Sequence, residues 1–153
     1  MKIAQTRRLN ALNRLLAAAT GSDADTVAQL SRAIEFCHRK GPRESEIVGI
    51  ETIARRLLNI HARNSGRFRL VHCNLRDVEV TPLWLEAEVT QSVRRLARSR
   101  EGLLLITGLK KAVCPPGKRF TLSRQREYQR AVTQINDIAR ARKLGANLSV
   151  IVV

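Results

Sequence analysis

Aromatic side chains are scarce in this chain: three Phe, one Trp and one Tyr among 153 residues. Proteins that hold unpaired bases on a ring platform need more of them, so recognition by aromatic stacking is not expected. Cysteine is no richer. Cys37, Cys73 and Cys114 are odd in number, widely spaced and without a C-x-x-C pair, which argues against a disulfide framework and fits a reducing compartment. Two of them adjoin a histidine, as Cys37-His38 and His72-Cys73. Neighbours on a helix or strand point apart, so neither pair makes half of a zinc site, and buried thiols are expected.

Long apolar runs are missing too. None approaches the roughly 18 residues that a membrane-spanning helix needs. The first twenty residues space Leu9, Leu12, Leu16 and Ala19 at helical intervals with arginines between, unlike a secretory signal. The expectation is a soluble, cytoplasmic protein without membrane attachment. At 44% hydrophobic and 27% charged residues the chain is too apolar for disorder, and its length suits one domain.

Acidic residues are the last shortage, and the one with functional weight. Asp plus Glu is 13 against 28 for Lys plus Arg, a formal net charge of +15, and 22 of the 28 are arginine. Such a field attracts polyanions, and the planar guanidinium fork matches phosphate oxygens. The DNA or RNA backbone is the first partner this implies. An acidic protein partner, or a merely solvated basic surface, is the alternative.

The apolar spacing predicts three helices over the first sixty-odd residues: 2–19, one from a Ser22/Asp25 cap to Gly41-Pro42, and one from Glu44 to Asn64-Ser65-Gly66. FRLVHC (68–73) alternates as a half-covered or edge strand does. Thr81-Pro82 opens a helix over 82–99 with Leu85, Val89, Val93 and Leu96 inward. Glu101-Gly102 ends it, and LLLIT (103–107) reads as a central strand. A loop over 108–122, a helix from Ser123 and the strand LSVIVV complete the chain. Two of the three strands are aliphatic runs, as in a parallel sheet covered on both faces. The fold class expected is therefore α/β, a short, mainly parallel three-layer sheet with an N-terminal helical segment. Residues 1–64 form the helical region and 65–153 the α/β core, in one compact unit.

Order and spacing resemble a known family over about 43–153. RESEIVGIETIARRLLN (43–59) is similar to the helix ahead of the nucleotide site in initiator-type AAA+ ATPases. Residues 68–97 resemble the second strand and following helix of that fold. LLLITGLKKA (103–112) stands where its Walker B strand stands, and 124–153 resembles the helix and strand that follow in AAA+ and RecA-like proteins. The resemblance implies a P-loop ATPase core, but a degenerate one. No G-x-x-x-x-G-K-[ST] occurs, and only NSGR separates the third helix from FRLVHC, so the first strand and P-loop have no counterpart. The Walker B acid is replaced by Thr107 and Gly108, which cannot hold magnesium or polarise water at neutral pH. ATP hydrolysis by this chain alone is not expected, nor is a cofactor. A sheet lacking the family's first strand is expected to complete itself against another chain, as a homo- or hetero-oligomer.

CPPGKR (114–119) is the nearest imitation of a phosphate loop, with Ala112 in place of the first glycine and Arg119 in place of the hydroxyl. It reads as a nucleotide cradle, as a rigid basic loop for a nucleic-acid phosphate, or as a plain solvated loop. Asp77 and Glu79 share one side of an extended segment, but no E-x-K follows to make a metal nuclease, and Arg76 suggests an ion pair. The residues expected to meet phosphate are Lys110, Lys111, Lys118 and Arg119 in the loop and Arg124, Arg126 and Arg130 on the last helix. Arg94, Arg95 and Arg98 on the 82–99 helix join them. At about 100° per residue Arg126, Arg130 and Arg140 share the face opposite Tyr128, Val132 and Ile135. Arg7, Arg8 and Arg14 make a further cluster. These features favour a non-enzymatic, basic nucleic-acid-binding or nucleoprotein-assembly module. The alternatives are an accessory ATPase subunit whose Arg94, Arg95, Arg98 or Arg100 reaches a partner's nucleotide, or a protein-interaction adaptor.

Overall fold

A computed structural model of the chain describes residues 2–18, 24–63, 69–75, 81–96, 101–142 and 147–153. Three helices come first, α1 (Lys2–Ala18), α2 (Ala24–Arg39) and α3 (Glu44–Arg63). Then β1 (Arg69–Asn74), α4 (Pro82–Leu96), β2 (Glu101–Thr107), α5 (Leu109–Val113), α6 (Leu122–Arg142) and β3 (Asn147–Val152) follow. The expected α/β class holds, with a helical segment ahead of a short parallel sheet. Thr81 caps α4 as its sequence suggests, its Oγ1 accepting the Trp84 N–H at 3.2 Å. Thr121 does the same for α6, accepting from Arg124 N–H at 3.3 Å, so that helix starts one residue before Ser123. Ser22, Asn64 to Gly66, and Arg76, Asp77 and Glu79 lie outside the described residues.

Two expectations need correction. Glu101-Gly102 does not end a helix; it opens β2, because Gly102 pairs with Arg69 and Leu148 on either side. The stretch after β2 is not all loop. Gly108, at φ 84°, turns the chain sharply and five residues then coil into α5.

The sheet order is β1-β2-β3, parallel throughout, so LLLIT lies in the central strand and β1 is an edge. Side-chain alternation sorts the layers. Leu104 and Ile106 face α4 and α6, while Leu105 and Thr107 face Ala54 and Leu58 of α3. The second helix runs beside β3, and α1 packs outside on α2 and α3. Gly49 permits that last approach, since a Cβ there would stand 2.9 Å from both methyl carbons of Leu9. Buried residues of the helical segment and of the sheet form one hydrophobic cluster.

Within it sits a polar pair that fixes α2 against α6. His38 Nδ1 lies 2.8 Å from the Ile34 carbonyl, which can only accept, so Nδ1 carries the proton. Nε2 then accepts the Tyr128 hydroxyl at 2.7 Å, and the two rings stack with centroids 5.3 Å apart. Burial pushes the His38 pKa below its ordinary 6.5 and the Tyr128 phenol upward, so both stay neutral. Below pH 6.5 the unfolded chain therefore binds a proton that the folded chain refuses, and stability falls with pH. The denaturation midpoint is expected to drop between pH 7 and pH 5. A His38→Gln variant should lose most of that slope. A wild-type midpoint flat over that range would refute the assignment.

Candidate functional site

The CPPGKR segment is built as a rigid turn. Lys118 N–H bonds to Pro115 O at 3.1 Å, with Pro116 and Gly117 (φ 83°) between them, a type II arrangement that needs glycine in the third place. Cys114 Sγ donates to Lys118 O at 3.4 Å, and Arg124 Nη1 donates to Arg119 O at 2.6 Å. Lys118 and Arg119 remain exposed on the outside of this turn. The amides a nucleotide cradle would draw on are already used: Ala112 N–H bonds to Gly108 O and Cys114 N–H to Lys110 O.

Not every expected cation is available. Arg124 ties the loop to α6, and Lys110 Nζ pairs with Glu44 Oε1 at 2.8 Å. Lys111 lines a small cavity of about 170 Å³ at the carboxyl ends of β1 and β2. There His72 Nε2 lies 2.8 Å from Thr107 Oγ1, and burial pushes the His72 pKa down. Arg8 is spent on the buried Glu46 carboxylate. Arg94 and Arg95 are exposed in the last turn of α4, Arg7 and Arg14 are exposed on α1, and Arg98 and Arg100 lie outside the described residues.

The larger feature is a groove of about 790 Å³ between α2 and α6. Two glutamines hold its walls together, Gln129 Nε2 on His38 O at 3.0 Å and Gln125 Nε2 on Pro42 O at 2.8 Å. Because Tyr128, Val132, Ile135 and Ala139 are buried, Arg126 and Arg130 fall on the outer wall, as the helical spacing predicts. Arg39 meets them from the end of α2. Arg140 also lines the groove, but Glu35 and Asp137 hold it. Arg39, Arg126 and Arg130 take part in no ion pair among the described residues, whereas Arg8, Arg55, Lys110 and Arg140 each have a carboxylate. The turn bearing Lys118 and Arg119 leads directly into the same end of α6.

Arg39 is the residue that sequence reasoning missed. As a basic residue in the last turn of a helix it fits the helix dipole and needs no other explanation. Only the antiparallel seating of α2 on α6 turns it toward Arg126 and Arg130. Among the described residues, Arg7, Arg8 and Arg14 of α1 and Arg94 and Arg95 of α4 do not line the groove.

Among the described residues no three of His, Cys, Asp and Glu gather to hold a metal ion, and no helix is long and apolar enough to cross a membrane. No protein-family model, no curated protein and no solved structure matches the chain.

Proposed function

We propose that the chain is a non-enzymatic nucleic-acid-binding or nucleoprotein-assembly module, contacting phosphates through the α2–α6 groove and the CPPGKR turn. The observation that carries this reading is the convergence of Arg39, Arg126 and Arg130 on one groove, with no carboxylate partner among the described residues. An arginine beside an acid is already neutralised, whereas these three keep their charge and their donors for an incoming anion. The rigid turn adds Lys118 and Arg119 at the end of the groove. The likeness to a degenerate AAA+ or RecA-like core belongs to the same proposal: a core without the family's first strand, P-loop and Walker B acid, kept for binding and not for hydrolysis. The thiols of Cys37, Cys73 and Cys114 are free, which suits the cytoplasm we assign it to.

The test is binding of duplex DNA and RNA across a salt series. Five cations each meeting one phosphate give a slope of log K against log salt of about −4.5. Absence of binding at low salt would sink the proposal.

A further inference from the structure

The groove does not stop at the arginines. Glu35, Arg39, Asn136 and Arg140 also line a second recess of about 420 Å³, which continues inward between α2, α6 and β3. Its back is apolar, formed by Val93, Leu96, Leu104 and Ala139. Its side wall is the free edge of β3, and that edge has a definite chemistry. Val153 N–H bonds to Ile106 O at 2.8 Å. In the alternation of a parallel ladder, Ser149, Ile151 and Val153 then turn their amide groups to β2, and Leu148, Val150 and Val152 turn theirs away. Ser31 shows the same orientation from the other side, its Oγ donating to Val150 O at 2.5 Å. Val150 N–H and Leu148 C=O are thus adjacent on the recess wall, a donor beside an acceptor, and neither has a partner among the described residues. Arg32 and Arg39 stand at the mouth.

An apolar slot, a donor next to an acceptor on one wall and guanidinium groups at the entrance match a nucleotide held by its base. The Watson–Crick edge of every base presents a donor beside an acceptor, so the strand edge meets any of them without strong sequence preference. In a duplex those edges are already paired. Resting on the nucleic-acid reading above, we infer that the preferred ligand is a single strand, with one unpaired base in the recess and its phosphates on Arg39, Arg126 and Arg130. An aliphatic slot does here what an aromatic platform does elsewhere, which removes the objection raised by the shortage of rings.

The experiment compares three ligands of equal phosphate number by fluorescence anisotropy: a twelve-residue deoxyadenosine strand, a fully abasic strand and a blunt duplex. The deoxyadenosine strand is expected to bind about tenfold more tightly than the abasic one, the low end of what one base contact contributes where bases stack on a protein. Ala28→Phe, which fills the recess from α2, should abolish that difference. Equal affinity for the base-bearing and abasic strands overturns the inference while leaving the phosphate-binding reading standing. Failure of all three to bind at low salt overturns both. Displacement of the strand by millimolar adenosine monophosphate, at a concentration where inorganic phosphate does not compete, reassigns the recess to a free nucleotide and overturns the strand assignment.

Discussion

Replacing Arg39, Arg126 and Arg130 together by alanine should flatten the salt dependence of duplex-DNA binding by about 2.7 in slope, at about 0.9 for each phosphate no longer neutralised, and of single-strand binding by about 2.1, at about 0.7 for each. At low salt the same loss amounts to roughly two to three decades in affinity, because every released counterion contributes more as salt is withdrawn. The three side chains are exposed and hold no ion pair among the described residues, so their removal should change stability by no more than about 0.5 kcal/mol. Binding loss without unfolding is the signature sought. Substituting Arg94 and Arg95 supplies the comparison: they are equally exposed and carry the same charge, but lie on α4 away from the groove. If both sets of substitutions reduce the slope equally per arginine, the groove has no special standing and the chain binds polyanions through its net charge alone.

How far the sequence could be read follows from the range of each signal. Element order was legible because it is local: the 3.6-residue spacing of α4 and α6, the aliphatic runs of β2 and β3 and the Thr81-Pro82 cap each act within a few residues. Helix α5 was not, since five residues are too short to show a period and Gly108 reads as a breaker whichever way the chain continues. On the candidate site the division is similar. Arg126 and Arg130 could be placed on one face from helical geometry. Arg39 could not be joined to them, because its neighbours are contributed by a helix more than 80 residues away. Arg124 looked like a surface cation and instead braces the Arg119 carbonyl. Composition counts charges, but only packing decides which of them already have a partner.

That distinction is sharpest at Arg8. In the sequence it belongs to a basic cluster with Arg7 and Arg14. In the fold its guanidinium forks onto Glu46, with Nε to Oε2 at 2.7 Å and Nη2 to Oε1 at 3.1 Å. The Glu46 side chain is completely buried in the first turn of α3, beneath α1. The helix N-terminus favours an acid there, and Arg8 supplies a full opposite charge at hydrogen-bond distance. Arg8→Ala should therefore destabilise the chain by about 3 kcal/mol, the low end of the cost of stranding one member of a buried pair, since the Arg8 side chain is itself 29% exposed. Against a typical total of about 5–15 kcal/mol this is among the largest single-residue effects available to the molecule. Removing both charges should be far milder. Arg8→Met with Glu46→Met leaves no ion to desolvate and adds apolar contact between α1 and α3, so the double variant should recover most of the loss in urea denaturation. The comparison separates two accounts of the pair. If the salt bridge stabilises through its own attraction, the double variant remains as weak as Arg8→Ala. If the cost comes from the unpaired Glu46 carboxylate, as its burial implies, the double variant returns toward the wild type, and Arg8 is a counter-charge for the core and not a contact for nucleic acid.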